Sequence, residues 1–393
     1  MRIKILYIVP SWFTLRYHLR GQLSYLKSKG FDVDVVCEAD SRAKEASMQE
    51  GVMYYPVDII RESAPINDIK SFYQLFHIMK KNKYDAVNCS TKKGGFLGVL
   101  AAKLAGGTRC IYVIRGLTLE KTNYIKMKIL LLIEKVICTI ADRVVFLSKS
   151  NKELFIKKRI CSDAKSVILG GGSINGIDTE FFKKNDINML KGIILKKKYN
   201  IPENAYVFGF VGRLVIEKGI KELVMAWEEL RATFTNIHLL MIAPPEIEAV
   251  IIEFISRLQM DSNVHFTGFL SNPVSGYAAM DCLLLPSYGE GLSNVIIEAG
   301  AMEVPAIATN VLGCTDVVVH NQTGILVEAK NHQALANAMQ MMLASPKVTQ
   351  VLGKNARERY TDLFQQQVIW TGYENLYNDI ITKNKSDTLL KNV

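Results

Sequence analysis

A chain of 393 residues, 49% apolar and 22% charged, is long enough for two globular domains and too apolar to be disordered. No uncharged apolar run reaches 18 residues, so no membrane-spanning helix is expected. The net charge of +10 is uneven: residues 1–190 hold 31 Lys and Arg against 18 Asp and Glu, the remainder 17 against 20. A basic first half fits a phosphate-bearing partner or an anionic membrane face.

The seven cysteines (Cys37, Cys89, Cys110, Cys138, Cys161, Cys282 and Cys314) lie mostly in apolar segments with no CxxC spacing. That is reduced, cytoplasmic usage rather than a disulfide or zinc framework. The six histidines form no HxxxH pair, so no protein-bound metal is indicated. The first ten residues resemble a signal peptide only superficially, because their apolar core is short and lacks a small-residue cleavage site.

In chain order, Lys4–Val9 reads as a buried strand, and Pro10-Ser11 turns into a helical pattern over 15–29 that Gly30 stops. Val33–Cys37, Tyr54–Val57, Ala86–Cys89, Cys110–Ile114 and Arg143–Leu147 are further short strands. Helical stretches near 67–82, 94–106 and 123–141 separate them. The last of these, with Lys126, Lys128 and Lys135 on an apolar helix, is read as packed on the sheet, with an interfacial amphipathic helix as the alternative. At 173–205 glycine-rich loops and a lysine-rich stretch break the pattern, which predicts a linker.

Alternation resumes at Tyr206–Gly212, followed by strands at Ile237–Ile242, Val264–Phe266, Cys282–Leu285 and Ala306–Thr309. Helices are expected near 218–233, 246–259, 291–303, 331–344, 346–360 and 364–381, and residues 383–393 read as a frayed polar tail. Strands alternating with helices predict α/β domains with doubly wound parallel sheets. Such sheets bind ligands beyond the carboxyl ends of their strands, and two of them facing each other would enclose a cleft. The expected division is a first domain over 1–172, the linker, a second domain over 206–363, and a final helix over 364–382.

Two stretches of the second domain carry chemistry. Pro286-Ser-Tyr-Gly-Glu-Gly-Leu-Ser-Asn-Val-Ile-Ile-Glu298 follows an apolar strand. Its glycines beside Glu290 permit a sharp turn and close approach to a ligand. The first amides of the helix that follows favour an anion. Glu298, about two turns in, leans back toward that end. Amides for phosphate and two carboxylates for hydroxyls are the chemistry of a sugar nucleotide. In Gly212-Arg213…Lys218-Gly219, two cations at a strand end beside a helix start can clamp a diphosphate, arginine as a planar fork and lysine as a point charge.

Together these stretches resemble the retaining glycosyltransferases of family 4, which have the GT-B fold of two Rossmann-like domains. Asn175-Gly176-Ile177-Asp178, Gly268-Phe269 and Gly313…Asp316…Asn321-x-Thr323-Gly324-Ile325-Leu326-Val327 support the likeness. The resemblance implies that Arg213 and Lys218 hold the donor diphosphate and that Glu290 contacts the transferred sugar. It implies further that Glu298 accepts the ribose hydroxyls, with Gly212, Gly291 and the amides of Leu292, Ser293 and Asn294 around the donor and Gly268 and Phe269 bordering the nucleobase. It also implies retention without a metal or other cofactor, and a final helix that returns to the first domain.

One departure stands in the first half. Where relatives often carry histidine before glycine, this chain reads Ile114-Arg115-Gly116. Arginine cannot serve as a neutral acid or base, so we expect Arg115, with Lys92 and Lys93, to meet phosphate, and His18 to pack or touch the acceptor. The pattern around Thr91–Gly95 and Ala101–Gly106 looks like the branch that assembles bacterial capsule and O-antigen glycans. That implies a UDP-linked hexose or N-acetylhexosamine donor, a glycan or polyprenyl-diphosphate-linked acceptor, and peripheral contact of a cytoplasmic protein with anionic membrane. The rivals are a sugar-nucleotide epimerase, a phosphorylase, and an inactive sugar-nucleotide-binding protein. A basic, aromatic-interleaved strand that would suit nucleic acid is missing.

Overall fold

The computed structural model describes residues 2–60, 62, 64–116 and 124–390. The chain divides into two compact units: residues 1–176 with 366–393, and residues 177–365. In the first, β1 (Lys4–Ile8), β2 (Asp32–Cys37), β3 (Met53–Pro56), β4 (Ala86–Ser90), β5 (Arg109–Ile114), β6 (Arg143–Phe146) and β7 (Ser166–Ile168) form one sheet in the order β3-β2-β1-β4-β5-β6-β7. In the second, β8 (Tyr206–Val211), β9 (Ile237–Ile242), β10 (Val264–Phe266), β11 (Cys282–Leu285), β12 (Ala306–Thr309) and β13 (Gly324–Val327) run β10-β9-β8-β11-β12-β13. The neighbouring strands of both sheets pair in parallel. Each is a doubly wound sheet whose strand order reverses once, between β1 and β4 and between β8 and β11. A crevice opens at such a reversal, because the helices on its two sides cover opposite faces.

Side-chain alternation explains why the second sheet is covered on both faces. Phe208, Phe210, Leu239, Met241, Cys282, Leu284 and Ile307 join one core with Trp227 and Met339. The intervening Val207, Leu240, Ile242, Leu283, Leu285, Ala306 and Ala308 join the other core with Ile297, Tyr360 and Phe364. A strand buried on both sides reads as an unbroken apolar run, which is how these strands look in the sequence.

Several expectations are corrected. The expected linker 173–205 is not a free connection. Residues 173–176 belong to the first unit, and the rest to the second, where the helix Asp186–Lys198 lies so close to the helix Val274–Ala279 that a Cβ on Gly192 would sit 2.5 Å from the Ala278 carbonyl oxygen. The expected helix 15–29 is broken into a π-turn, Thr14–His18, and a helix, Gln22–Ser28. Between them Gly21 adopts φ +81°, with its amide on the Glu50 carboxylate at 2.6 Å and the Trp370 ring against its Cα. No side chain other than hydrogen fits there, so the glycine that periodicity passed over sets the break. The helices Ser41–Glu50 and Lys149–Lys157 and the edge strands β7 and β13 were not anticipated. Residue 123 of the expected helix lies outside the described residues; the described helix runs Tyr124–Ile140.

The last helix, Gln366–Leu390, continues through most of the expected tail, which contains no glycine or proline to stop it. Residues 391–393 of that tail lie outside the described residues. The helix docks on the first unit. Tyr377 OH donates to Tyr7 OH at 2.9 Å and accepts from Asn88 Nδ2 at 2.8 Å, and Trp370 Nε1 donates to Asn175 Oδ1 at 2.7 Å.

Candidate active site

The loops that leave β8 and β11, the two strands at the reversal of the second sheet, lie backbone to backbone. Gly219 closes the turn Ile216–Lys218 with φ +68°, and a Cβ there would sit 2.0 Å from the Pro286 carbonyl oxygen. Glycine is therefore required for the two loops to touch. Tyr288 N–H donates to the Glu217 carbonyl at 2.8 Å and locks the contact. A third loop, after β12, closes on the other side. Glu290 N–H donates to the Leu312 carbonyl at 3.1 Å, and Gly313, at φ +82°, would carry its Cβ 2.8 Å from that of Glu290.

Held this way, Glu290 Oε1 accepts from Lys218 Nζ at 2.5 Å and from Ser287 Oγ at 2.7 Å. Both members of the ion pair are mostly buried, so the attraction is weakly screened. Arg213, at the mouth of the β8 loop, is exposed and forms no ion pair among the described residues. The helix Asn294–Ala301 begins beside Glu290, and Ser293, its N-cap, is buried with no partner for Oγ among the described residues. The first-turn amides, which a helix leaves without internal partners, and that hydroxyl are suited to an anion.

Glu298 projects from that helix. Burial pushes its carboxyl up to about 7, and a hydrogen bond from Tyr277 OH at 2.7 Å opposes the shift. A half-buried carboxylate with one donor has room for more, and hydroxyl groups are able to supply them. Gly268, past β10, adopts φ +72° with open space over its Cα, and the following Phe269 is 55% exposed. Lys218 and Glu290 thus meet directly, Glu298 stands on the adjoining helix, and Arg213 sits at the edge of the same strand ends. Sequence reasoning missed Ser287 and Tyr277, the partners of the two acids. Ser287 was visible beside the glycine pair, whereas Tyr277 lies in a six-residue helix too short to show periodicity.

The candidates of the first half are dispersed. Lys93 Nζ is committed to the Asp68 carboxylate at 2.9 Å, and Lys92 lends its charge to the buried Glu134. Arg115 and His18 are neighbours, with Nη1 and Nδ1 3.4 Å apart. Among the described residues no group of three or more His, Cys, Asp or Glu side chains is placed to hold a metal ion, and no helix is long and apolar enough to cross a membrane.

The sequence and the fold have counterparts. Residues 193–359 match the family described as glycosyl transferases group 1, and residues 4–148 match the family described as glycosyl transferase 4-like. The capsular polysaccharide biosynthesis glycosyltransferase CapM of Staphylococcus aureus is 33% identical over 93% of this chain and 95% of its own length. The UDP-Gal:alpha-D-GlcNAc-diphosphoundecaprenol alpha-1,3-galactosyltransferase of Escherichia coli is 26% identical over 92% of each. A glycosyltransferase structure from Rickettsia africae superposes with a TM-score of 0.81 at 20% identity, covering 98% of this chain and 99% of the other, which shows the fold. The chain belongs to the family 4 glycosyltransferases of the GT-B fold.

Proposed function

We propose that the protein is a retaining, metal-independent glycosyltransferase that moves a hexose or N-acetylhexosamine from a UDP-linked donor to a polyprenyl-diphosphate-linked sugar during assembly of a bacterial surface polysaccharide. The observation that carries this reading is the Lys218–Glu290 pair, held by three loops at the crevice of the second sheet. The names of the capsular enzyme of S. aureus and the galactosyltransferase of E. coli support the donor and acceptor classes.

As the donor bond breaks, negative charge builds on the departing diphosphate. Lys218, Arg213 and the amides after Ser293 meet that charge without reorganising, typically the largest catalytic contribution. Glu290 contacts hydroxyls of the transferred sugar, and Glu298 takes the ribose. The departing phosphate receives the acceptor's proton on the face from which the acceptor attacks, so retention needs no separate base. Transfer of radiolabelled sugar from a UDP-sugar into organic-extractable lipid, undiminished by EDTA, is the expected result. Label that remains water-soluble with every lipid-linked acceptor tried would reject the acceptor class, and loss of activity to EDTA would reject metal independence.

The basic first half and the helix Tyr124–Ile140, whose Ile129, Leu132 and Val136 are exposed, support peripheral contact with anionic lipid. Pelleting with phosphatidylglycerol vesicles at low salt, lost at high salt, is expected. A protein that stays in the supernatant under both conditions does not dock this way.

A further inference from the structure

The first sheet also reverses its order, between β1 and β4, and the chain leaving β5 ends at this rim in Arg115. Ser90 is in register with Val113, so the chain leaving β4 at Thr91 enters the helix Lys92–Ala105 alongside the chain that reaches Arg115. Thr91 caps that helix from φ +68°, a backbone region β-branched residues avoid, with Oγ1 accepting from Gly94 N–H at 3.3 Å. Strain of this kind persists only where the surrounding structure over-determines it.

Arg115 itself is divided in two. Nη1 donates to Thr14 Oγ1 at 3.1 Å and faces His18 Nδ1 at 3.4 Å. Burial and the arginine's charge pull His18 down to about 4, so at neutral pH its ring is uncharged and its bare Nδ1 can accept. Burial lowers the guanidinium to about 10, which leaves it a full cation near pH 7. The opposite edge, Nε and Nη2, is buried and has no partner among the described residues. Those two N–H groups point the same way and match two oxygens of one oxyanion. A buried arginine used for structure is ordinarily paired with a carboxylate, and Arg115 has no such ion pair among the described residues. A fixed cation with one edge bare is arranged for something that arrives.

We infer that the Nε/Nη2 edge of Arg115 is a bidentate seat for a phosphate group of the acceptor, a second phosphate site in addition to the donor seat beside Lys218. Assignment of that phosphate to the acceptor rests on the proposed function; the seat itself does not. Phosphate is preferred to carboxylate because the first half of the chain is strongly basic and because the galactosyltransferase of E. coli is named for a diphospholipid-linked substrate.

The test uses the full chain carrying Arg213→Ala and Lys218→Ala, which removes the donor cations, with inorganic pyrophosphate and acetate as probes in calorimetry and thermal unfolding. Pyrophosphate should still bind. Arg115→Lys should weaken it about tenfold, the equivalent of one charge-assisted hydrogen bond. Arg115→Met should abolish it while leaving the free protein at least as stable, because a buried charge without a partner is removed. Three results would overturn the inference: no pyrophosphate binding in the parent double variant, an acetate response without a pyrophosphate response, or an Arg115→Met protein that keeps the pyrophosphate response. The reading of the donor seat fails separately, if Arg213→Ala and Lys218→Ala leave sugar-nucleotide binding unchanged.

Discussion

Lys218→Ala lowers the transfer rate by about 10²–10³-fold, the loss expected when one preorganised donor to a developing oxyanion is removed. The side chain stands at the reversal of the second sheet with Nζ 2.5 Å from Glu290 Oε1, so its position is set before any donor arrives. The charge it meets grows as the leaving group departs, and the loss should therefore fall mainly on kcat and less on donor affinity. Glu290→Gln keeps a group able to accept from Ser287 Oγ while removing the negative charge that offsets Lys218. It should bind the donor diphosphate at least as well as the parent and yet transfer more slowly, because the amide holds the sugar hydroxyls less strongly. Steady-state kinetics on the two variants separates these effects. An unchanged kcat in Lys218→Ala would place the reacting centre elsewhere.

Donor affinity rises with pH and levels off near pH 7. In the free protein burial holds the Glu298 carboxyl at about 7 against an ordinary 4.5, with Tyr277 its hydrogen-bond donor. Ribose hydroxyls donating to the ionised form favour it, so donor binding below pH 7 releases a proton and weakens as the solution acidifies. Stability of the free protein follows the opposite sign. The folded-state pKa is raised, so between pH 4.5 and 7 the folded chain holds more proton at this site than the unfolded one. The contribution of Glu298 to stability is full below that window and falls as pH rises through it, by roughly 3 kcal/mol in all at about 1.4 kcal/mol per unit. Glu298→Gln removes both trends: the free protein gains stability at neutral pH, and its donor affinity is lower and flat. Comparing variant with parent isolates this group from the other titrating side chains. Calorimetry in buffers of different ionisation enthalpy counts the proton directly, and a pH trend that survives in Glu298→Gln would assign it to another residue.

Much of this was legible in the residues. Ile237–Ile242, Val264–Phe266, Cys282–Leu285 and Ala306–Thr309 are strands over the expected spans, because a strand buried on both faces must be an apolar run between turn residues. The glycine after Lys218 announced a tight turn, which it makes at φ +68°, and Lys218 and Glu290, which meet beside it, stood out by residue type. Other features left no local trace. The edge strands β7 and β13 went unread, and the break at Gly21 is enforced by Trp370, distant in sequence.

By itself the sequence determined which segments are strands and helices and which residue types stand at their ends, because burial on a repeating element imposes a period that composition cannot hide. Only the tertiary structure decided which ends meet. Lys218 and Glu290 are 72 positions apart and become an ion pair because β8 and β11 are neighbours in the sheet. Lys93 is spent on Asp68, while the Nε/Nη2 edge of Arg115 has no partner among the described residues. Strand order and register arise from the packing of many distant side chains at once, and no local run of residues carries that information.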